Sequence, residues 1–226
     1  MQRSRNWNAY DEDSWEVGSG VPIWAEPPAR YIAGGTVVNK LNKGEKLAGG
    51  SPVDFDVKTK KAKILKVYKA KTAISETTLT IYAAWDLPVP HVGDAIMKMP
   101  STIDGTGTAV TVQAIDDTTP GELKLTLSAT IAGVVAGDYL AEAAEAGADK
   151  GLYCKPWTFT LEDTIGAKYN TVGIALGQKY IFENVIPYLP AAIKANIKDV
   201  DWDWFNEVVI GGDYSTDYEE NMRGAK

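Results

Sequence analysis

The stretch GTAVTVQAIDDTTPGELKLTLSAT, residues 107–130, alternates apolar and polar positions on both sides of a turn. Val110, Val112 and Ala114 alternate with Thr111 and Gln113, and Leu123, Leu125 and Leu127 alternate with Lys124, Thr126 and Ser128. Successive side chains of a strand point to opposite faces, so each run carries one apolar and one polar face. The DDTTPG segment between them supplies turn chemistry. The pattern predicts an antiparallel pair with Val110, Val112, Ala114 and the three leucines in the core and the polar set in solvent.

The same texture extends outward from this hairpin. YIAGGTVVN, KLAGGSPVDFD, KAKILKVYKAKT and TTLTIYAA are short runs rich in Val, Ile, Thr and Tyr, and the Gly-Gly pairs at 34–35 and 49–50 and the Ser51-Pro52 step are predicted to mark turns. In KAKILKVYK the alternation of Ala62 and Ile64 changes phase to Leu65 and Val67. That shift predicts a β-bulge or a strand buried on both faces. Downstream, VVAGDYLAEAA is rich in Ala and Glu, yet Tyr139 and Leu140 follow a Gly-Asp step, which predicts a strand over 138–144.

VVAGDYL repeats the pattern of PHVGDAI, and Gly137 lies 44 residues after Gly93. Glycine accepts the positive φ of a tight turn and aspartate can bond backbone amides just beyond it, so both copies are predicted to be turns that launch a strand. Four shared residues do not by themselves make an internal repeat. One helix is predicted near 190–198, with Pro190 in its first turn, Ala191, Ala192, Ile193, Ala195, Asn196 and Ile197 following, and Lys194 and Lys198 outward. The expected fold class is therefore mainly β: small antiparallel sheets or barrels, one short C-terminal helix and extended termini. Three parts are expected along the chain: an extended arm at 1–30, a β-rich body at 31–210 and an acidic polar tail at 211–226.

With 226 residues, 45% of them hydrophobic and 23% charged, the chain can bury one substantial core or two small ones. A net charge of −7 disfavours nucleic acid as a partner. Lys58, Lys60, Lys61, Lys63, Lys66, Lys69 and Lys71 form a local basic run, expected as a solvated strand face, with an anionic partner as the other reading. Cys154 is the single cysteine, which excludes an intrachain disulfide and a thiolate zinc site within one chain, so it is expected to pack as a small apolar residue. MQRSRNWNAYDEDSWEVG lacks the apolar centre of a signal peptide and no stretch is apolar enough to span a membrane as a helix, so synthesis and folding are expected in the cytoplasm, without a membrane partner.

His91 is the only histidine and follows Pro88-Val89-Pro90; no GxSxG accompanies it, so it is expected to be a turn histidine without a catalytic role. Asp201 and Asp203 share a strand face opposite Trp202 and Trp204, with Glu207 beyond; a solvated face is expected there, against a metal site or paired catalytic carboxylates. Asp116 and Asp117 belong to the hairpin turn, and GTVVNKLNKG is no phosphate loop. No enzyme activity, cofactor or metal is expected.

The combination of YIAGGTVV, LAGGSPVDFDVKTKKAKILKVYKA, PHVGDAIM, VQAIDD, LTLSAT, VAGDYLAEAAEAG, GQKYIFENVIPYLP and IPYLPAAIKANI resembles the head fibre proteins of tailed bacteriophages, particularly those of Bacteroides-type hosts and their prophages. The likeness covers roughly residues 31–205, and AGGSPVDFDVKTKKAKILK is its most specific piece. Membership would imply a non-enzymatic virion component made in the bacterial cytoplasm. It would be carried on the exterior of the phage head, homotrimeric, and bound to the major capsid protein or another head protein. A role in adhesion to host or surface glycans would accompany it, and a free-standing glycan adhesin or a polysaccharide depolymerase are the rival readings. Aromatics of the arm dock either on this chain's own body or on a partner. Trp15, Pro22 and Trp24 are the residues singled out for capsid attachment.

Overall fold

A computed structural model describes residues 24–26, 30–84, 87–166, 170–177, 179–181 and 186–200. The strands in chain order are β1 (Trp24–Glu26), β2 (Arg30–Val37), β3 (Lys46–Leu47), β4 (Pro52–Asp56), β5 (Lys61–Ile64), β6 (Val67–Lys69), β7 (Thr78–Tyr82) and β8 (Ala95–Lys98). They continue as β9 (Gly107–Asp116), β10 (Glu122–Leu127), β11 (Tyr139–Glu142), β12 (Gly147–Lys150), β13 (Thr158–Phe159), β14 (Thr164–Ile165), β15 (Thr171–Leu176) and β16 (Tyr180–Ile181). Helix α1 is Ala191–Asn196. The chain is thus mainly β with one short helix among the described residues, as the alternation predicts. Of the arm expected at 1–30, residues 24–26 form β1 and Arg30 begins β2, while residues 1–23, the end of the expected body at 201–210 and the tail at 211–226 lie outside the described residues.

Five strands, in the order β13-β4-β5-β2-β15, form the first sheet. A bridge between Thr160 and Ile174 and the Leu161 N–H donated to Gly173 O at 2.8 Å join its two edges, so the sheet closes into a small barrel. All its neighbours are antiparallel except β2 and β5. Val37, Val53, Phe55, Ala62, Ile64, Val172 and Ile174 fill it. The Gly34-Gly35 pair expected to mark a turn lies inside β2 instead, where the register against β15 shifts between Val172 and Ile174. Gly49-Gly50 does form a turn, and β4 begins at Pro52.

The second sheet runs β6-β11-β8-β9-β10-β7, with β12 beside the start of β9. The antiparallel Ala70–Ile81 bridge brings β7 back to the end of β6 and closes a six-stranded barrel. Leu79, Ile81, Ile96, Val112, Leu125 and Leu140 are fully buried inside it. Each contributes about 1.5–3 kcal/mol through burial. The β9–β10 hairpin forms as its alternation predicts, with Leu125 opposite Ile115 and Leu127 opposite Val112. A register shift between Thr126 and Leu127 changes the phase of β9, so Ala114 is exposed rather than inward and Ile115 packs on the core in its place.

The pairing pattern inside this barrel repeats. Tyr68 opposes Leu140 as Val110 opposes Ile96, and Ile81 meets Ala70 as Leu127 meets Val112. Exchanging β6 with β9, β7 with β10 and β8 with β11 therefore maps the ring onto itself, with offsets of 42, 46 and 44 residues at Tyr68/Val110, Ile81/Leu127 and Ile96/Leu140. The two Gly-Asp steps occupy equivalent places. Gly93 and Gly137 take φ of +97° and +88°, a region that favours glycine. Their N–H groups donate to Val112 O and Ala70 O, both at 2.8 Å. Asp94 and Asp138 accept from the N–H three residues back, His91 at 2.7 Å and Val135 at 2.9 Å, and not from amides beyond the turn as the sequence predicts.

A third apolar layer joins the barrels. Outward-facing Val67, Met97, Ala109 and Ala141 of the second barrel pack with Leu65, Phe159 and Leu189 and with Ile193 from α1. The helix starts after Pro190 and ends at Asn196, with Ile197 already extended; Lys198 is exposed while Lys194 is half-buried. Cys154 lies in this layer, buried, with its thiol donating to Lys63 O at 3.4 Å. Burial raises the Cys154 pKa far above the usual thiol range, so it packs as the small apolar residue expected.

Candidate functional site: a buried charge cluster between the barrels

KAKILKVYK is neither a bulged strand nor one strand buried on both faces. It is two strands of different barrels, β5 and β6, and the chain crosses between them at Leu65-Lys66. Lys58, Lys60, Lys61, Lys63 and Lys71 are exposed as expected, but Lys66 keeps only 1% of its exposure. The reason is local: with Leu65 turned to the apolar layer, the Lys66 side chain enters the seam between the barrels. There its Nζ meets Glu45 Oε1 at 3.2 Å and donates to Val89 O at 3.0 Å. A buried ammonium is tolerated only with such partners.

Glu45 arrives from the loop between β2 and β3. The Asn42 N–H donates to Glu45 Oε2 at 2.8 Å, the Gly44 N–H to Gly166 O at 3.0 Å, and the Gly166 N–H to Glu45 O at 2.6 Å. The loop is therefore held in shape before it reaches the second barrel. His91 sits in a turn, as predicted, but it is not incidental. Its Nε2 is 2.5 Å from Glu45 Oε2, and the His91 and Glu45 side chains keep 10% and 7% of their exposure. Nδ1 faces Asp94 Oδ2 at 3.6 Å.

Glu142, at the end of β11, completes the group. Its N–H donates to Lys66 O at 3.0 Å and its carbonyl accepts the Tyr153 N–H at 2.9 Å, so its backbone is fixed between the strand that enters the second barrel and the segment that leaves it. Its Oε2 is buried without a hydrogen-bond partner, as is the Tyr68 hydroxyl. Burial pushes the Glu142 carboxyl up to about 7; Lys66 opposes the shift, and Asp94 and Glu45 add to it. The Tyr68 hydroxyl is raised well above its ordinary value by burial, then by Glu142, Asp94 and Glu45.

The repeat within the barrel explains why charge accumulates here. Lys98 occupies in β8 the place that Glu142 occupies in β11, and Asp138 the place of Asp94. At the first pole Lys98 Nζ pairs with Asp138 Oδ2 at 2.8 Å, which holds the Asp138 carboxyl below its usual range. At the second pole the equivalent pair is two carboxylates, Glu142 and Asp94. Lys66 and His91 stand beside them, and Glu45 comes from the other barrel. Chemically the arrangement can hold a proton in a closed setting and fasten one barrel to the other. Among the described residues no group of three or more His, Cys, Asp or Glu side chains could hold a metal ion.

The residues singled out from sequence fall elsewhere. Trp24 docks on the chain's own body: its Nε1 donates to Leu161 O at 3.0 Å, and its ring meets Phe159 edge-on at 6.4 Å. Trp15, Pro22, Asp201, Trp202, Asp203, Trp204 and Glu207 lie outside the described residues. Asp116 serves the hairpin turn by accepting the Thr118 N–H at 3.1 Å. Sequence reading missed Glu45, Lys66 and Glu142. The signals present were the phase break at Leu65-Lys66 and the change from Lys98 to Glu142 across the 44-residue echo. No family model, no curated protein and no solved structure matches the chain.

Proposed function

We propose that this chain is a structural subunit of a tailed-phage virion, a head fibre or capsid decoration protein that works as a homotrimer on the outside of the head. The observation that carries the reading is the run AGGSPVDFDVKTKKAKILK at 48–66, with PHVGDAIM and VAGDYLAEAAEAG, in which the resemblance to head fibre proteins is strongest. These segments supply framework: 48–66 contains β4, its turn and β5, and the other two contain the paired turns that launch β8 and β11. The segments that carry the resemblance therefore lie in the β-rich body of the chain. Attachment to the major capsid protein or another head protein falls to the arm. Because Trp24 is engaged by Leu161 and Phe159, Trp15 and Pro22 are the better candidates.

Solution mass tests the reading first: light scattering on the purified chain is expected to give three times 24.4 kDa, and a monomer at high concentration refutes the trimer. A chain lacking residues 1–22 is expected to keep its oligomeric state and to fail to join particles. Unchanged incorporation overturns the assignment of attachment to the arm. A glycan adhesin is the second reading, favoured by the exposed Tyr31 ring, which keeps 66% of its exposure on the first barrel. A glycan array probed with the purified protein and its Tyr31→Ala variant separates the two.

A further inference from the structure

The seam between the barrels holds more acid than base. Glu45 comes from the β2–β3 loop, Lys66 from the crossover, Tyr68 from β6, His91 and Asp94 from the turn before β8, and Glu142 from β11, with Tyr153 and Cys154 on the segment behind it. Three carboxyl groups thus converge on one ammonium and one imidazole. Two of them, Glu45 and Asp94, have hydrogen-bond donors: Asn42 N–H, Lys66 and His91 serve Glu45, and His91 N–H serves Asp94. The third, Glu142, has a buried oxygen with no donor, in the place where the repeat would put a lysine opposite Asp94.

We infer that Glu142 is the proton-holding element of a pH-sensitive latch that fastens the β2–β3 loop of the first barrel to the second. With a proton, Glu142 is neutral beside Asp94 and Glu45, and Lys66 is left to Glu45 and Val89 O. Without it, a third negative charge enters the seam and competes with Glu45 for Lys66, which loosens the grip on the loop. The direction is fixed by the raised pKa: the latch is closed in mildly acidic solution and weakened as pH rises through about 7. The latch rests on the geometry of the seam and is independent of any place on a particle.

Hydrogen exchange of the full chain tests it, with rates corrected for intrinsic chemistry. The reporters are the amides of Asn42, Gly44 and Glu45, all bonded within the loop or to Gly166. Their protection is expected to fall roughly 10- to 50-fold between about pH 5.5 and about pH 8.5 through a local opening that low urea does not accelerate, whereas amides of the β7–β10 ladder exchange more slowly, respond to urea and follow global stability. Glu142→Gln is expected to abolish the change, and Asp94→Asn, which removes a neighbouring charge but keeps an oxygen for the His91 N–H, to shrink it. Protection that does not vary with pH overturns the latch. So does a response that survives in Glu142→Gln, or one that disappears in His91→Asn with Glu142 intact, which would move the proton to the imidazole.

Discussion

The Glu142 carboxyl sets a definite pH dependence of global stability. Its folded-state pKa is raised from 4.5 to about 7, so the native state binds the proton more tightly than the unfolded chain. The stabilisation is complete below the unfolded value and is lost as pH rises through the folded one. At about 1.4 kcal/mol per unit, this is on the order of 2–3 kcal/mol lost between about pH 5 and about pH 8.5. Replacing Glu142 by Gln keeps the shape and removes the titration. Urea denaturation of both proteins at the two pH values isolates the group, because every other titration is shared between them. The expected result is a variant on the order of 2–3 kcal/mol more stable than wild type at the higher pH, measured relative to their difference at the lower one. Parallel stability profiles, or a variant whose relative stability falls as pH rises, would refute the reasoning that burial and the Asp94 and Glu45 charges dominate over Lys66 at this position.

Other perturbations probe the same framework. Lys66→Met leaves Glu45 buried with one fewer cation and is expected to cost about 3–5 kcal/mol by chemical denaturation. Adding Glu45→Gln is expected to recover most of that loss. Asn39 donates to Ile64 O and accepts the Ile64 N–H, both at 2.8 Å and buried, so Asn39→Ala strands both backbone groups of β5. A loss of about 2–4 kcal/mol is expected in the same assay. Gly93→Ala and Gly137→Ala meet no atom within 4 Å, so their cost is backbone strain alone. About 1–2 kcal/mol is expected for each, and thermal melts should show the two to be alike, as equivalent turns require.

Much of the fold was legible because alternation is a local property. The β9–β10 hairpin, the strand after Gly137-Asp138 and the helix after Pro190 each lie within one short continuous segment that carries its own periodicity and punctuation. The closure of the barrels was not legible. It depends on the Ala70–Ile81 and Thr160–Ile174 bridges between segments with ordinary strand patterns, and nothing local distinguishes an open edge from a closed one. The cluster was hidden for a related reason. A lysine among lysines reads as solvated, and Glu45 in NKGEK reads as a loop charge. Only the crossover at Leu65-Lys66 brings the two together. The phase break in KAKILKVYK was visible, yet the same break serves a bulge, a doubly buried strand or a change of barrel. For His91, the turn could be read from Gly93-Asp94, whereas its partner lies 46 residues upstream on another element.

The route of the chain has a consequence for how the molecule comes into being. The second barrel, from Val67 to Lys150, is contiguous, and its ends are side by side: Glu142 bonds both Lys66 and Tyr153, and Cys154 reaches back to Lys63. It is a cassette set into the first barrel, whose β2 must wait for β15, about 140 residues later, before its ring can close. On the ribosome the guest has every strand it needs well before the host does. The guest can therefore fold first and, by holding Lys66 and Tyr153 together, deliver the two halves of the host to each other. Ring closure then becomes the joining of neighbours, and its long loop adds little to the search.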